Sequence, residues 1–472
     1  MNFLTSKNNR ILQGDILTVF YVILIFFGMF LTILLGAWSG IIFFAISFFL
    51  MFYLLLQESN DYYKASSLQV LFAATSIIPM LQFNFLAFFS ADFGAVERSV
   101  MLGLKFVPLF LILYTIVVTY SYEVKAVLLS SVMLLLIGLF YPVDYFQVKL
   151  TYFINSFLPF FSMQVLMLSL LTTSSNNLSF LNDFISRFES AVMVFLKIFF
   201  WLLPLSFIFY IAGWDYFDYS NLIELKGLEP YKGVPLNWYT QFGGGFIMRF
   251  THFFEDPILL GYLLAFISVY FFVRGKLLMS VFFCALIILT LTKGAMLWLI
   301  LTTGFFTLKK FGINNRLVLM SSYILFLILM SLISFKTSLG VHIEGLVSPF
   351  VNSSQYTLIE ILFGHGIGSG GNLLKAYLGG GMEHTAWLES GAESGLGTLM
   401  YQTGLLGLST FFIIVYKILG VLKSHISVGL YLGYVFNFLL QENLINFSYI
   451  SLLTLIILYI ELSLQKEFSY ES

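Results

Sequence analysis

Apolar runs of about 20 residues recur from one end of this 472-residue chain to the other. Lipid offers no water to backbone N–H and C=O groups, so runs of that length must close their hydrogen bonds internally as helices. The composition agrees, with 59 % hydrophobic and 10 % charged residues where a soluble globule carries about 25 % charged. A net charge of -1 offers no basic surface, which sets nucleic-acid binding aside. Cys284 is the single cysteine, so no intrachain disulfide or cysteine metal site can form.

The pattern predicts an all-α polytopic membrane protein with about fourteen spans, or twelve if the shortest are discounted. They fall near residues 16–35, 38–56, 66–89, 103–120, 126–141, 151–171, 191–211, 257–273, 277–291, 294–308, 317–335, 396–416, 428–441 and 447–464. The first run is too long for a signal h-region and is read as a retained helix. The chain then divides into N-terminal helices (1–211), a loop (212–256), further helices (257–335), a large loop (336–395), and C-terminal helices with a short tail (396–472).

Basic residues set the orientation. With both termini in the cytoplasm, Lys7, Arg10, Lys64, Lys125, Arg187, Arg274, Lys276, Lys309, Lys310, Arg316, Lys417, Lys423 and Lys466 lie inside, more than half of the 23. Both large loops then face outward. Lys197, two turns into its span, either snorkels or lines a polar cavity. The stretches 172–190 and 309–316 read as plain polar connectors.

The loop at 336–395 holds His342, His365 and His384, five glutamates and twelve glycines. Its segment Ser353–Phe363 predicts a short helix on the membrane surface. The GHGIGSGG that follows, with Gly364, Gly366 and Gly368, could bring backbone amides close to an anion. It is not a nucleotide phosphate loop, because GxxxxGK[ST] is absent.

In the first loop, Arg249 precedes the membrane entry at Pro257 and keeps company with His252, Glu255 and Asp256. An arginine there can anchor to headgroups, or grip a diphosphate in bidentate fashion with His252 beside it. Lys293, in a short turn on the same side, is either a snorkelled cap or a second cation for that anion. His384, Glu389 and Glu393 are candidates for general-base work on a hydroxyl, or a solvated acidic face. In one continuous helix, Glu389 and Glu393 would share a face and His384 would lie opposite Glu393. No HExxH and no GxSxG occurs, so neither a zinc site nor a serine nucleophile is expected.

The order of these features resembles the bacterial polysaccharide polymerase (Wzy) and O-antigen ligase superfamily. The shared features are the outward Arg249 loop entering the membrane at Asp256-Pro257, an "SRG"-like Thr292-Lys293-Gly294 turn, Gly364–Ser369, and His384 followed by Glu393-Ser394-Gly395 and Gly404–Leu408. The motif match covers about residues 245–410.

The resemblance implies a GT-C-like, inverting glycosyltransferase that needs no metal or other cofactor. Its substrates would be undecaprenyl-diphosphate-linked glycan donor and acceptor, at the outer face of a bacterial inner membrane. It also implies a chain-length regulator protein as a partner beside membrane lipid. Arg249 takes the place of the residue proposed to bind donor diphosphate, Lys293 stands where relatives have Arg, His384 matches the loop histidine, and Glu393 the acid before the next span. The large loop has no arginine, only Lys336 and Lys375, and Thr385 follows His384 where ligases carry an amide or Ser. These departures favour a polymerase of O-antigen or capsule over a ligase that transfers polymer to lipid A core. A lipid-linked oligosaccharide flippase is the alternative of another class, and a receptor or structural membrane protein is a third. With no arginine of its own, the large loop is expected to work with the Arg249 loop.

Overall fold

The computed structural model describes residues 2–56, 60–88, 108–109, 113, 122–140, 146–173, 177–213, 219–220, 223, 230–242, 245–254, 256–310, 338–378 and 383–471. Of these residues, 84 % are helical, so the fold is all-α apart from two small hairpins. The expected spans at 103–120 and 317–335 lie almost wholly outside the described residues, as do Glu255, Gly243 and Gly244.

In chain order the first helices are α1 (Asn2–Leu35), α2 (Ala37–Leu56), α3 (Asn60–Phe88) and α4 (Tyr122–Phe140). Then α5 (Phe146–Tyr152) runs through a π turn (Phe153–Phe157) into α6 (Leu158–Thr173), followed by α7 (Leu178–Ala212). Strands β1 (Pro230–Tyr231), β2 (Val234–Pro235), β3 (Tyr239–Phe242) and β4 (Gly245–Met248) come next. After them stand α8 (Pro257–Val273), α9 (Leu277–Thr290) and α10 (Lys293–Lys310). The large loop carries α11 (Ser338–Val351), α12 (Leu358–Phe363), α13 (Gly371–Tyr377) and α14 (His384–Glu389). The chain ends in α15 (Gly395–Val421), α16 (His425–Leu439) and α17 (Phe447–Glu471).

Among the described residues, four helical stretches are long and apolar enough to cross a membrane: Lys149–Thr173, Ser179–Ala212, Gly395–Val421 and Phe447–Leu464. Shorter apolar helices include Leu17–Thr32, Lys125–Leu139, Pro257–Val273, Leu277–Thr290 and His425–Leu439. The chain is therefore built as an all-α membrane protein.

The residues fall into two compact units, one of Met1–Thr119, Ser174–Ala295 and Leu462–Ser472, the other of Tyr120–Thr173 and Met296–Glu461. In the first unit, Phe72 of α3 meets Phe188 and Phe195 of α7 edge-on. Beside them the Arg187 guanidinium lies 4.0 Å from the centre of the Tyr62 ring and donates to Gln69. The stretch 172–190, expected as a polar connector, is thus mostly the start of α7. Asn177 caps it by accepting from Phe180 N, and Phe180, Leu181 and Phe184 are buried. Lys197 is exposed on the same helix, so it lines no buried cavity.

In the second unit, α6 and the Phe447–Glu461 part of α17 are buried nearly all round, as helices apolar on every face should be. Tyr431 of α16 donates to Gln164 of α6 at 2.8 Å, and the Trp298 indole of α10 donates to Leu430 O at 3.1 Å.

The large loop contains more regular structure than its glycines suggest. The helix expected over Ser353–Phe363 is a 3-10 turn (Asn352–Gln355) followed by α12, whose capping box joins Thr357 and Glu360. Leu358 and Ile359 are exposed at its start, near exposed Val347, Phe350 and Val351.

Candidate functional site

In the first unit, Arg249 follows a hairpin absent from the sequence reading, β3 paired with β4 from Tyr239↔Met248 to Phe242↔Gly245. Gly245 opens β4 opposite Phe242, and Gly243 and Gly244 lie outside the described residues. Arg249 N donates to Trp238 O at 2.7 Å, and Phe250 N donates to Leu289 O at 3.1 Å. The second bond ties the arginine's segment to the end of α9. Just beyond it, the Thr292 hydroxyl donates to Pro257 O at 3.1 Å and receives the Thr290 hydroxyl at 3.0 Å. The Arg249 segment, the Asp256-Pro257 entry and the Thr292-Lys293-Gly294 turn are therefore one hydrogen-bonded assembly. Asp256 caps α8 by accepting from Ile258 N, and Lys293 is exposed at the start of α10.

His252 does not share the exposure of Lys293. It is buried, stacked 3.9 Å from the Phe199 ring, and its Nε2 lies 3.0 Å from Phe199 O. Since a carbonyl only accepts, Nε2 carries a hydrogen there. Burial pushes the imidazole down to about 4, so it is neutral at physiological pH. The expectation that it helps bind diphosphate is corrected, because a buried neutral ring packed on phenylalanine cannot reach or attract a phosphate.

The glycine loop is also corrected as an anion cradle. Gly404 interrupts α15 with φ 62° and ψ -162°, and this break leaves carbonyls without their usual helical donors. The loop supplies them: His365 N donates to Tyr401 O at 2.8 Å and Gly366 N to Gln402 O at 3.1 Å. Ile367 N donates to Gly138 O, Gly368 N to the Gln402 side chain, and Ser369 N to Gly366 O. Gly364, Gly366 and Gly368 thus fasten the loop to α15, and the amides named have protein acceptors. His365 stacks on Tyr401 at 4.3 Å, and its Nε2 lies 3.7 Å from Glu360.

Among the acids, the predicted common face of Glu389 and Glu393 is absent. Helix α14 stops at Glu389, and Glu393 sits in the following turn with φ 66°. A non-glycine residue there stores about 1–3 kcal/mol of strain, of the kind that collects at functional sites. Glu389 is exposed, and His384 opens α14 with its side chain outside the described atoms.

Glu393 instead meets His342 of α11. The His342 Nδ1 lies 2.9 Å from Glu393 O and 3.6 Å from Glu393 Oε2. The carbonyl can only accept, so Nδ1 carries hydrogen and Nε2 is the basic nitrogen of the neutral ring. A partly exposed histidine held by a carbonyl in this way leaves Nε2 available to accept a proton.

Behind Glu393 stands Glu442, in the 3-10 turn between α16 and α17, which the sequence reading did not single out. Its carboxyl accepts from Tyr152 Oη at 2.6 Å, Asn372 N at 3.1 Å and Glu393 N at 3.3 Å. Burial raises it to about 7, with the Glu393 charge adding to the rise and the donors opposing it. Asn372 in turn accepts from the Trp387 indole, and the Lys375 ammonium lies 3.7 Å from that ring's centre. Ser390 accepts from Gly371 N, which closes α13 against the turn after α14.

Comparison with protein-family models, with curated proteins and with solved structures gave no match.

Proposed function

We propose that this chain polymerises undecaprenyl-diphosphate-linked oligosaccharide repeat units into a surface polysaccharide, O-antigen or capsule, at the outer face of a bacterial inner membrane. The acceptor hydroxyl attacks the anomeric carbon of the donor's reducing-end sugar. Its new C–O bond forms as the bond to the lipid diphosphate breaks, with inversion. Arg249 and Lys293 neutralise the departing diphosphate, and His342, oriented by Glu393, takes the proton of the acceptor hydroxyl. His384 is the residue the resemblance assigns to that hydroxyl. With a leaving group this good, charge neutralisation and positioning supply most of the rate.

The observation that supports this reading most is the tie between the Arg249 segment and the Lys293 turn, through Phe250 N to Leu289 O and Thr292 Oγ1 to Pro257 O. It joins the two segments that carry the cations the resemblance assigns to one anion. Deletion of the gene followed by gel analysis of surface glycan tests it. A single repeat on the anchor is expected. Lipid-linked polymer that is never transferred would mean a ligase, and loss of all outward repeats a flippase.

A further inference from the structure

We propose that Glu442 is the positioning residue of the His342–Glu393 pair, a buried carboxyl that closes the turn carrying Glu393 and the amino end of α13 while it holds a proton, and loosens both when it gives the proton up. The geometry carries the holding role, and burial of the carboxyl carries its dependence on the proton. One carboxyl accepts from a residue of α5, from the second residue of α13 and from the amide of Glu393 itself. The fit is close, since a Cβ at Gly371 would come within 2.5 Å of Glu442 Oε1 and 2.3 Å of Tyr152 Oη. The cradle adjoins a π turn, where Ser156 donates to Asn446 Oδ1 at 2.7 Å, and such turns favour functional sites.

The charged and titratable groups around Glu442 are few. Tyr152 faces it from α5 and Glu393 from the turn after α14, while Tyr434 of α16 donates to Leu444 O within the same 3-10 turn. His342 lies on the far side of Glu393, and the Lys375 ammonium is turned onto Trp387. Among these described residues no cation contacts Glu442, and its ionised form is balanced by the hydrogen-bond donors Tyr152, Asn372 and Glu393. A carboxyl raised in the closed state above its ordinary 4.5 favours closure below 4.5, and that preference is lost as pH rises to about 7.

The catalytic consequence rests on the polymerase reading, but the structural one does not. The test is hydrogen exchange of the full-length protein in detergent, read on peptides covering 371–378 and 390–394 and corrected for intrinsic exchange. In the wild type the opening constant should rise by roughly fortyfold from pH 5 to pH 7, and by about twofold more before it levels off above pH 8. Glu442→Gln should abolish the transition. Tyr152→Phe, which removes a donor that favours the carboxylate, should move its midpoint to higher pH. A wild type without the transition, or one that Glu442→Gln and Tyr152→Phe both leave unchanged, overturns the proposal. Polymerisation assayed on the same proteins separates the two claims. A pH–rate limb near 7 that Glu442→Gln removes supports both. A protein that forms no polymer yet keeps the exchange transition defeats the polymerase reading alone.

Discussion

Replacing Gly404 with alanine tests whether the glycine loop is fastened to the broken helix α15. Gly404 (φ 62°, ψ -162°) and its partner Gly364 (φ 77°, ψ -168°) both occupy a region almost reserved for glycine. Alanine at 404 stores about 1–3 kcal/mol of backbone strain. Its Cβ would also stand 2.5 Å from Gly364 N and 2.6 Å from Leu362 C and O. These are backbone atoms, so no rotamer change relieves the overlap and the loop must lift from the helix. Lifting breaks His365 N to Tyr401 O and Gly366 N to Gln402 O, at about 0.5–1.5 kcal/mol each. The sum is a destabilisation of about 2–6 kcal/mol. Gly304→Ala in α10 is the matched control, because nothing lies within 4 Å of its added Cβ and alanine favours helix. Thermal unfolding of the purified protein in detergent, with hydrogen exchange over 364–370, reads both. Gly404→Ala should melt well below the control and lose protection in the loop. If it melts with the control and keeps the loop amides protected, the loop is not held by this break.

Three further outcomes follow from the first unit. Arg249→Lys keeps charge but loses the planar fork, so polymer length in complemented cells should collapse to a few repeats. Wild-type length would sink the diphosphate clamp. Thr292→Val removes the hydroxyl bond to Pro257 O, while Thr290 Oγ1 keeps its bond to Ile287 O, and should cost about 0.5–1.5 kcal/mol in thermal unfolding, with a parallel loss of polymerisation. His252 is depressed to about 4 by burial, so its neutral form stabilises the closed segment above pH 6.5 and that stability is lost as pH falls toward 4. Exchange protection at Phe250 and Phe254 should fall over that window by up to about 3 kcal/mol, and His252→Asn should flatten the response.

Much of the helical framework was legible because membrane spans announce themselves by local composition. The start of α8 at Pro257 follows from a residue sequence that caps itself, Asp256 accepting from Ile258 N ahead of a proline at the first helical position. The gap at 440–446 likewise separates α16 from α17 where the apolar runs break. The two hairpins before Arg249 escaped notice because strands of two and four residues leave no sustained alternation. The supposed Glu389–Glu393 face failed because Ser390 already ends the helix, and the turn beyond puts Glu393 at positive φ.

Glu442 shows the limit most clearly. In sequence it is a lone acid in a short polar gap, and its ordinary reading is a solvated turn. Its partners Tyr152, Asn372 and Glu393 lie 290, 70 and 49 residues away, so neither its burial nor its proton affinity is written in its neighbourhood. His342 was visible as a histidine, but its role depends on a contact 51 residues distant. The glycines of GHGIGSGG suggested ligand binding because glycine permits close approach, and the approach turned out to be to the protein's own helix.

The central claim meets its most direct test in proteoliposomes holding the purified protein and undecaprenyl-diphosphate-linked repeat units, with no other enzyme present. A polymerase should convert them to a ladder of longer lipid-linked glycans, releasing one undecaprenyl diphosphate for each bond formed, and Arg249→Lys should shorten the ladder. Substrate that crosses the bilayer unchanged, or that is recovered as single repeats with no diphosphate released, would contradict the claim.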